Sequence, residues 1–272
     1  MTWLIRRGGQ KARPSAGVKI FFVSLPLIIA GMTFFLLPPF SQDPSYHSFA
    51  DQREIWGVTN FFNVISNIPL LLVGLTGLFR LHACGNNAGP FEEPIERAPY
   101  LVFFAGIALT GVASAWYHLS PDNWRLMWDR LPMTLGFTSL LAIVLAERVS
   151  PGMARRLFVP LLILGLGSVA GWYVGEEQGR GDLRAYGLVQ FLGLALICAL
   201  LVFSPSRYSH GQYFALAVAI YFVAFLAGEV FDQEIFSLTE MVSGHTVKHL
   251  LGGLAVYPLL VMLGRRRLIQ TE

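Results

Sequence analysis

Gly111-Val-Ala-Ser114-Ala-Trp-Tyr-His118 closes an apolar run over 98–119, and eleven residues after His118 comes Asp129, in Trp128-Asp129-Arg130-Leu131-Pro132-Met133. A run of that length is enough to cross a bilayer as a helix. Ser114 and His118 are one turn apart and therefore share a helical face. Near the other end of the chain, His245-Thr-Val-Lys-His249 repeats the four-residue spacing at the start of a second apolar run, 245–264. Ionisable groups at membrane depth are costly and face a partner, a cavity or an ion. If the fold joins 118 to 245, three histidines and an aspartate meet.

Composition sets the class. Of 272 residues, 54% are hydrophobic and 14% charged, with a mean hydropathy of +0.54. Soluble domains carry about 25% charged residues, so the chain reads as an all-α, polytopic membrane bundle with no separate soluble domain. Apolar segments fall at 18–40, 60–82, 98–119, 127–147, 154–174, 185–204, 212–231 and 245–264. These eight spans divide into a basic N-terminus with an uncleaved anchor helix (1–45) and a seven-span core (46–272). The anchor is preferred over a signal peptide because its run is long, ends in Pro38-Pro39-Phe40 and lacks a small-residue cleavage site. A net charge of +3 is too small to imply nucleic acid as a partner. Cys84 and Cys198 sit at different depths, so no disulfide is expected.

Charge distribution orients the bundle. With the N-terminus inside, 14 of the 20 Lys and Arg residues fall in cytoplasmic stretches and 12 of the 17 acidic residues fall outside. The positive-inside rule then places both termini in the cytoplasm. His118, Asp129, His245 and His249 all come to the outer pole, with Asp51, Glu54 and the Asn60, Asn63 and Asn67 face. The inner pole shows basic loop residues and few polar residues within its spans. Gly106, Gly111, Gly165 and Gly167 read as helix-packing positions.

Zinc favours nitrogen ligands, and three histidines leave a fourth tetrahedral position for a water whose pKa falls to near 7. Asp129 is placed to move a proton to a leaving amine, and Ser114 to donate to a developing oxyanion. Each piece has a plainer reading. His-x-x-x-His can bond between helices, Ser114 to its own backbone, and Asp129 to Arg125 or Arg130. Lys248 reads as a snorkelling side chain, and His47, His82 and His210 are given no role.

The combination of Ser-x-x-x-His, Asp-Arg-Leu-Pro-Met eleven residues on, and His-x-x-x-His in the last span resembles the alkaline ceramidase family. That family belongs to a wider group of seven-span hydrolases that includes the adiponectin-receptor and hemolysin III branches. Asn63-Val-Ile-Ser66-Asn67 is similar to the family's Asn-Thr-x-Ser-Asn, and the likeness runs over about 51–257. It implies a Zn2+ site at His118, His245 and His249, assisting roles for Ser114 and Asp129, and a ceramide-like membrane lipid cleaved to fatty acid and sphingoid base. Eukaryotic members carry an Asp-Trp-x-Glu-x-Asn calcium-binding stretch. Here that region reads Asp51-Gln-Arg-Glu54-Ile-Trp, with Asn60 in place of a Glu, which leaves Ca2+ doubtful. The runner-up reading is a receptor of the adiponectin-receptor type with a structural zinc, and a transporter ranks last.

Overall fold

The computed structural model describes residues 16–84 and 90–269, so the basic residues Arg6, Arg7, Lys11 and Arg13 lie outside the described residues. The elements in order are α1 (Ala16–Leu36), α2 (Phe61–Ile65), α3 (Ile68–Ala83), α4 (Arg97–Leu119) and α5 (Asn123–Arg148). They continue with α6 (Pro151–Glu177), α7 (Arg184–Phe203), α8 (Gln212–Phe225), a π turn (Leu226–Val230), α9 (Asp232–Thr239) and α10 (Gly244–Arg265). Among the described residues, seven helices are long and apolar enough to cross a membrane. The segment expected to be an eighth span forms the helix α1, but its described apolar part, Ser24–Leu36, is shorter than the seven and is not one of them.

Side-chain caps set the helix starts. Asp122 accepts from the Arg125 amide at 2.7 Å, Ser150 from Met153 at 3.0 Å and Ser243 from Thr246 at 3.1 Å. Pro69, which has no amide to donate, divides the first span at Ser66-Asn67. The long helices close into a ring: α3 meets α4, α4 meets α5, α5 packs on α6 and α7, and α8 leads to α10, which returns to α3. Helix α5 is the most buried of the seven.

Helix contact is closest where glycine permits it. A Cβ at Gly111 would stand 2.6 Å from the Leu71 amide nitrogen, and one at Gly106 would stand 2.9 Å from the Pro132 carbonyl. Gly165 abuts Thr134 and Thr138, but a Cβ at Gly167 meets nothing within 4 Å, so Gly167 is not a packing glycine. Gly111→Val should push α3 from α4 and cost about 1–3 kcal/mol. The expected result is a lower unfolding temperature in detergent. An unchanged temperature would remove the close-approach argument.

The end away from the histidines is richer in charge than the sequence reading allows. Glu96, Glu147 and Arg266 are all buried there, with Arg266 Nη1 at 2.7 Å from Glu147 and Nη2 at 3.5 Å from Glu96.

At the histidine end, residues 37–50 cross the bundle. Arg184 Nη1 donates to the Phe34 and Leu37 carbonyls at 2.8 Å, tying down the end of α1. The Leu183 amide donates to the Phe40 carbonyl at 3.0 Å, and Arg130 Nη2 to the Gln42 side chain at 2.7 Å. This strap brings Tyr46 and Phe49 over the site.

Candidate metal centre and its cavity

Helix α4 delivers Ser114 and His118 in its last two turns, and Ser120 to Asp122 turn the chain into α5. Because the connection is so short, Asp129 runs back alongside Ser114, and both residues line the same cavity. Helix α10 supplies His245 and His249 from its first two turns. All three histidines are buried, with ring centroids 4.8–4.9 Å apart.

The Nε2 atoms of His118 and His245 stand 3.3 Å apart. Two nitrogens each 2.0–2.1 Å from a tetrahedral ion are separated by about 3.3–3.4 Å. One potential ligand atom from each of the three histidines lies within 4.8 Å of the others. A buried cluster of imidazoles at that spacing fits a metal ion by donor type and by distance.

Neighbouring groups orient the rings. His249 Nδ1 lies 3.1 Å from the Asn63 carbonyl and 2.9 Å from Ser66 Oγ, which leaves Nε2 for a ligand bond. The Asn63 side-chain oxygen accepts from Thr246 at 2.9 Å, fixing the first turn of α10, and Asn60 Nδ2 donates to the His118 carbonyl at 2.9 Å. The asparagine face read from spacing is therefore internal, and Asn63 and Asn67 are buried. Asn60 precedes α2 in a left-handed conformation, φ 47°.

Other contributors were not assigned from sequence. Asp232 accepts from the His245 amide at 2.7 Å and from the Ala50 amide at 3.0 Å, joining strap to helix start. The Phe49 ring packs on His118 and His245 at 4.6 and 4.5 Å. His47 bridges Tyr117 at 2.9 Å and Asn123 at 3.1 Å.

A cavity of about 410 Å³ opens beside the histidines. Its polar part is lined by Ser114, Asp129, Glu229, His245, Lys248 and His249, and its depth by apolar side chains such as Phe103, Ile107, Leu140, Ile197 and Leu259. Asp129 is not drawn into either expected ion pair. Arg125 is held by Asp122 and the Ser120 carbonyl, while Arg130 bonds Gln42 and lies among the rings of Tyr46, Trp172 and Tyr186. Asp129 Oδ1 is left buried without a hydrogen-bond partner in the protein.

The donors near Asp51 do not fit calcium. Asp51 is buried, and both its oxygens are taken by Arg53, Oδ1 by Nε at 2.8 Å and Oδ2 by Nη2 at 2.6 Å. Burial pushes its carboxyl upward, but the Arg53 hydrogen bonds outweigh this and hold it below the usual aspartate range. Arg53 also reaches the Met241 carbonyl and lies over Phe62 and Phe236. Glu54 is exposed, and Asn60 is turned to His118. Asp51 is thus a buried anchor rather than a free loop charge.

A helical multi-pass membrane protein with three clustered histidines at the head of an apolar cavity is the class that fold and site define. The profile of the family Ceramidase matches residues 55–272, and the chain belongs to that family. Membership makes it a hydrolase acting on the amide bond of ceramide. No curated protein matches it.

Proposed function

We propose that this chain is a zinc-dependent intramembrane amidase that cleaves ceramide-like N-acyl lipids, with His118, His245 and His249 as the zinc ligands. The observation that carries this reading is the meeting of three buried imidazoles with Ser114 and Asp129 at the polar end of a cavity whose depth is apolar. An acyl chain fits the apolar depth, which leaves the amide at the histidines. Zinc, when bound, supplies a Lewis acid that polarises the amide carbonyl and acidifies water.

The chain's own residues do the rest. Ser114 donates a hydrogen bond to the carbonyl oxygen as it gains charge. Asp129 takes a proton from the attacking water as its oxygen bonds to the acyl carbon. It returns that proton to the amide nitrogen as the carbon–nitrogen bond breaks, releasing a fatty acid and a sphingoid base. Phe49 and the strap keep bulk water off the two histidines they cover. The charge distribution along the chain supports an orientation with the histidine end outside and both termini in the cytoplasm.

Asp129→Asn tests the assignment. The amide keeps the shape but cannot shuttle the proton, so kcat on ceramide should fall by about 10²–10⁴-fold. Zinc content should stay at the wild-type level. Wild-type turnover in that variant would remove Asp129 from the mechanism.

A further inference from the structure

Lys248 does not snorkel away from the bundle. Its Nζ lies 2.7 Å from Glu229 Oε1, and both residues line the cavity that holds Asp129, His245 and His249. The pair is built into the fold from both sides. The stem of Lys248 lies on Gly228, where a Cβ would stand 2.5 Å from Lys248 Cδ. Glu229 comes from the π turn Leu226–Val230 that ends the span begun by α8. A π turn adds a residue to the helix and rotates the residues beyond it by about 100°, and such turns concentrate at functional sites.

We infer that the Lys248–Glu229 pair is the subsite for the hydroxyl groups of a neutral lipid head, and that it sets head-group specificity. This rests on the amidase reading above. A hydroxyl both donates and accepts, and the pair offers ammonium donors beside a carboxylate acceptor. Lys248 immediately precedes His249, so a head held at this pair lies next to the metal-ligand turn. In a ceramide the hydroxyl-bearing carbons adjoin the carbon that carries the amide nitrogen, and the pair shares one cavity with His245 and His249. The acidic and basic side chains lining the cavity, Asp129 and Glu229 against Arg130 and Lys248, balance in formal charge. A phosphate on the head would face Glu229 directly and lose by repulsion what it gained from Lys248.

The test uses the purified, zinc-loaded full chain in detergent micelles with three lipids: ceramide, its 1-deoxy analogue lacking the primary hydroxyl, and ceramide 1-phosphate. Binding is read by calorimetry and hydrolysis by released fatty acid. Hydrogen bonds to charged groups carry about 10–100-fold in affinity, so the wild type should favour ceramide over the 1-deoxy lipid by that factor. Lys248→Met should bring the two lipids to within a few-fold of each other, and Lys248→Arg should retain the preference. Glu229→Gln leaves the ammonium uncompensated and should gain measurable binding of ceramide 1-phosphate. Equal effects of Lys248→Met on ceramide and the 1-deoxy lipid would overturn the proposal, as would a Glu229→Gln protein that still rejects the phosphate. Retained head-group preference in binding, with no hydrolysis of any lipid, would support the subsite and count against the amidase reading instead.

Discussion

His118→Ala should abolish hydrolysis of a long-chain ceramide and lower the zinc bound to purified protein, while the bundle remains folded. His118 is the one histidine of the cluster contributed by α4, and its Nε2 lies 3.3 Å from that of His245. On the proposed reading, its loss would leave as ligands two histidines one turn apart on α10, with none from α4. Removing a member of a catalytic unit that acts together costs about three orders of magnitude or more in kcat, and an ion left with two protein ligands is held weakly. The fold should survive, because Tyr117 beside it stays packed on Phe49 and α4 keeps its full interface with α3 and α5. The measurements are metal content by mass spectrometry, fatty-acid release, and helicity by circular dichroism. Wild-type activity in the variant would end the metal-centre assignment. So would unchanged zinc content.

What the sequence revealed of this site was local. Ser114 with His118, and His245 with His249, are legible because a four-residue step is one helical turn. Asp129 is legible because the connection from Leu119 to Asn123 is so short that α4 and α5 must run antiparallel. Partners that depend on side-chain direction across distant segments are not legible. His249 is oriented by the backbone carbonyl of Asn63, a group every residue carries, so no pattern announces it. Lys248 reads as a snorkelling cation until the π turn brings Glu229 to it, and a one-residue register shift leaves no mark in hydropathy. Phe49 lies ahead of the segment the family profile matches, yet its ring covers two of the three histidines. The resemblance supplied the substrate class, and the contribution of the strap came only from the structure.

The second large effect is expected at the opposite end of α10, where Arg266→Met should destabilise the protein without slowing ceramide hydrolysis by the folded variant. Arg266 sits seventeen residues beyond His249, about 25 Å along the helix axis, so the chemistry is out of its reach. Its guanidinium bonds Glu147 at 2.7 Å, Tyr100 at 2.9 Å and the Pro90 carbonyl at 2.7 Å, and lies 4.0 Å from the Tyr208 ring. Both carboxylates it faces are buried. Removing one partner of a buried ion pair costs about 3–5 kcal/mol, mainly through the charge left behind. The two glutamates differ in what remains to them. Glu96 keeps the Tyr208 hydroxyl at 2.6 Å and Arg207 at 3.5 Å, whereas among the described residues Glu147 keeps only hydroxyl bonds, from Tyr100 at 3.2 Å and Ser206 at 3.3 Å. Glu147 is therefore the stranded charge, and Arg266→Met with Glu147→Gln should unfold at a higher temperature than Arg266→Met alone. The readouts are thermal unfolding in micelles and kcat per bound zinc at a temperature where each variant is folded. A double variant less stable than the single one would show that the cost lies in lost packing of the guanidinium on its aromatic neighbours rather than in the uncompensated carboxylate.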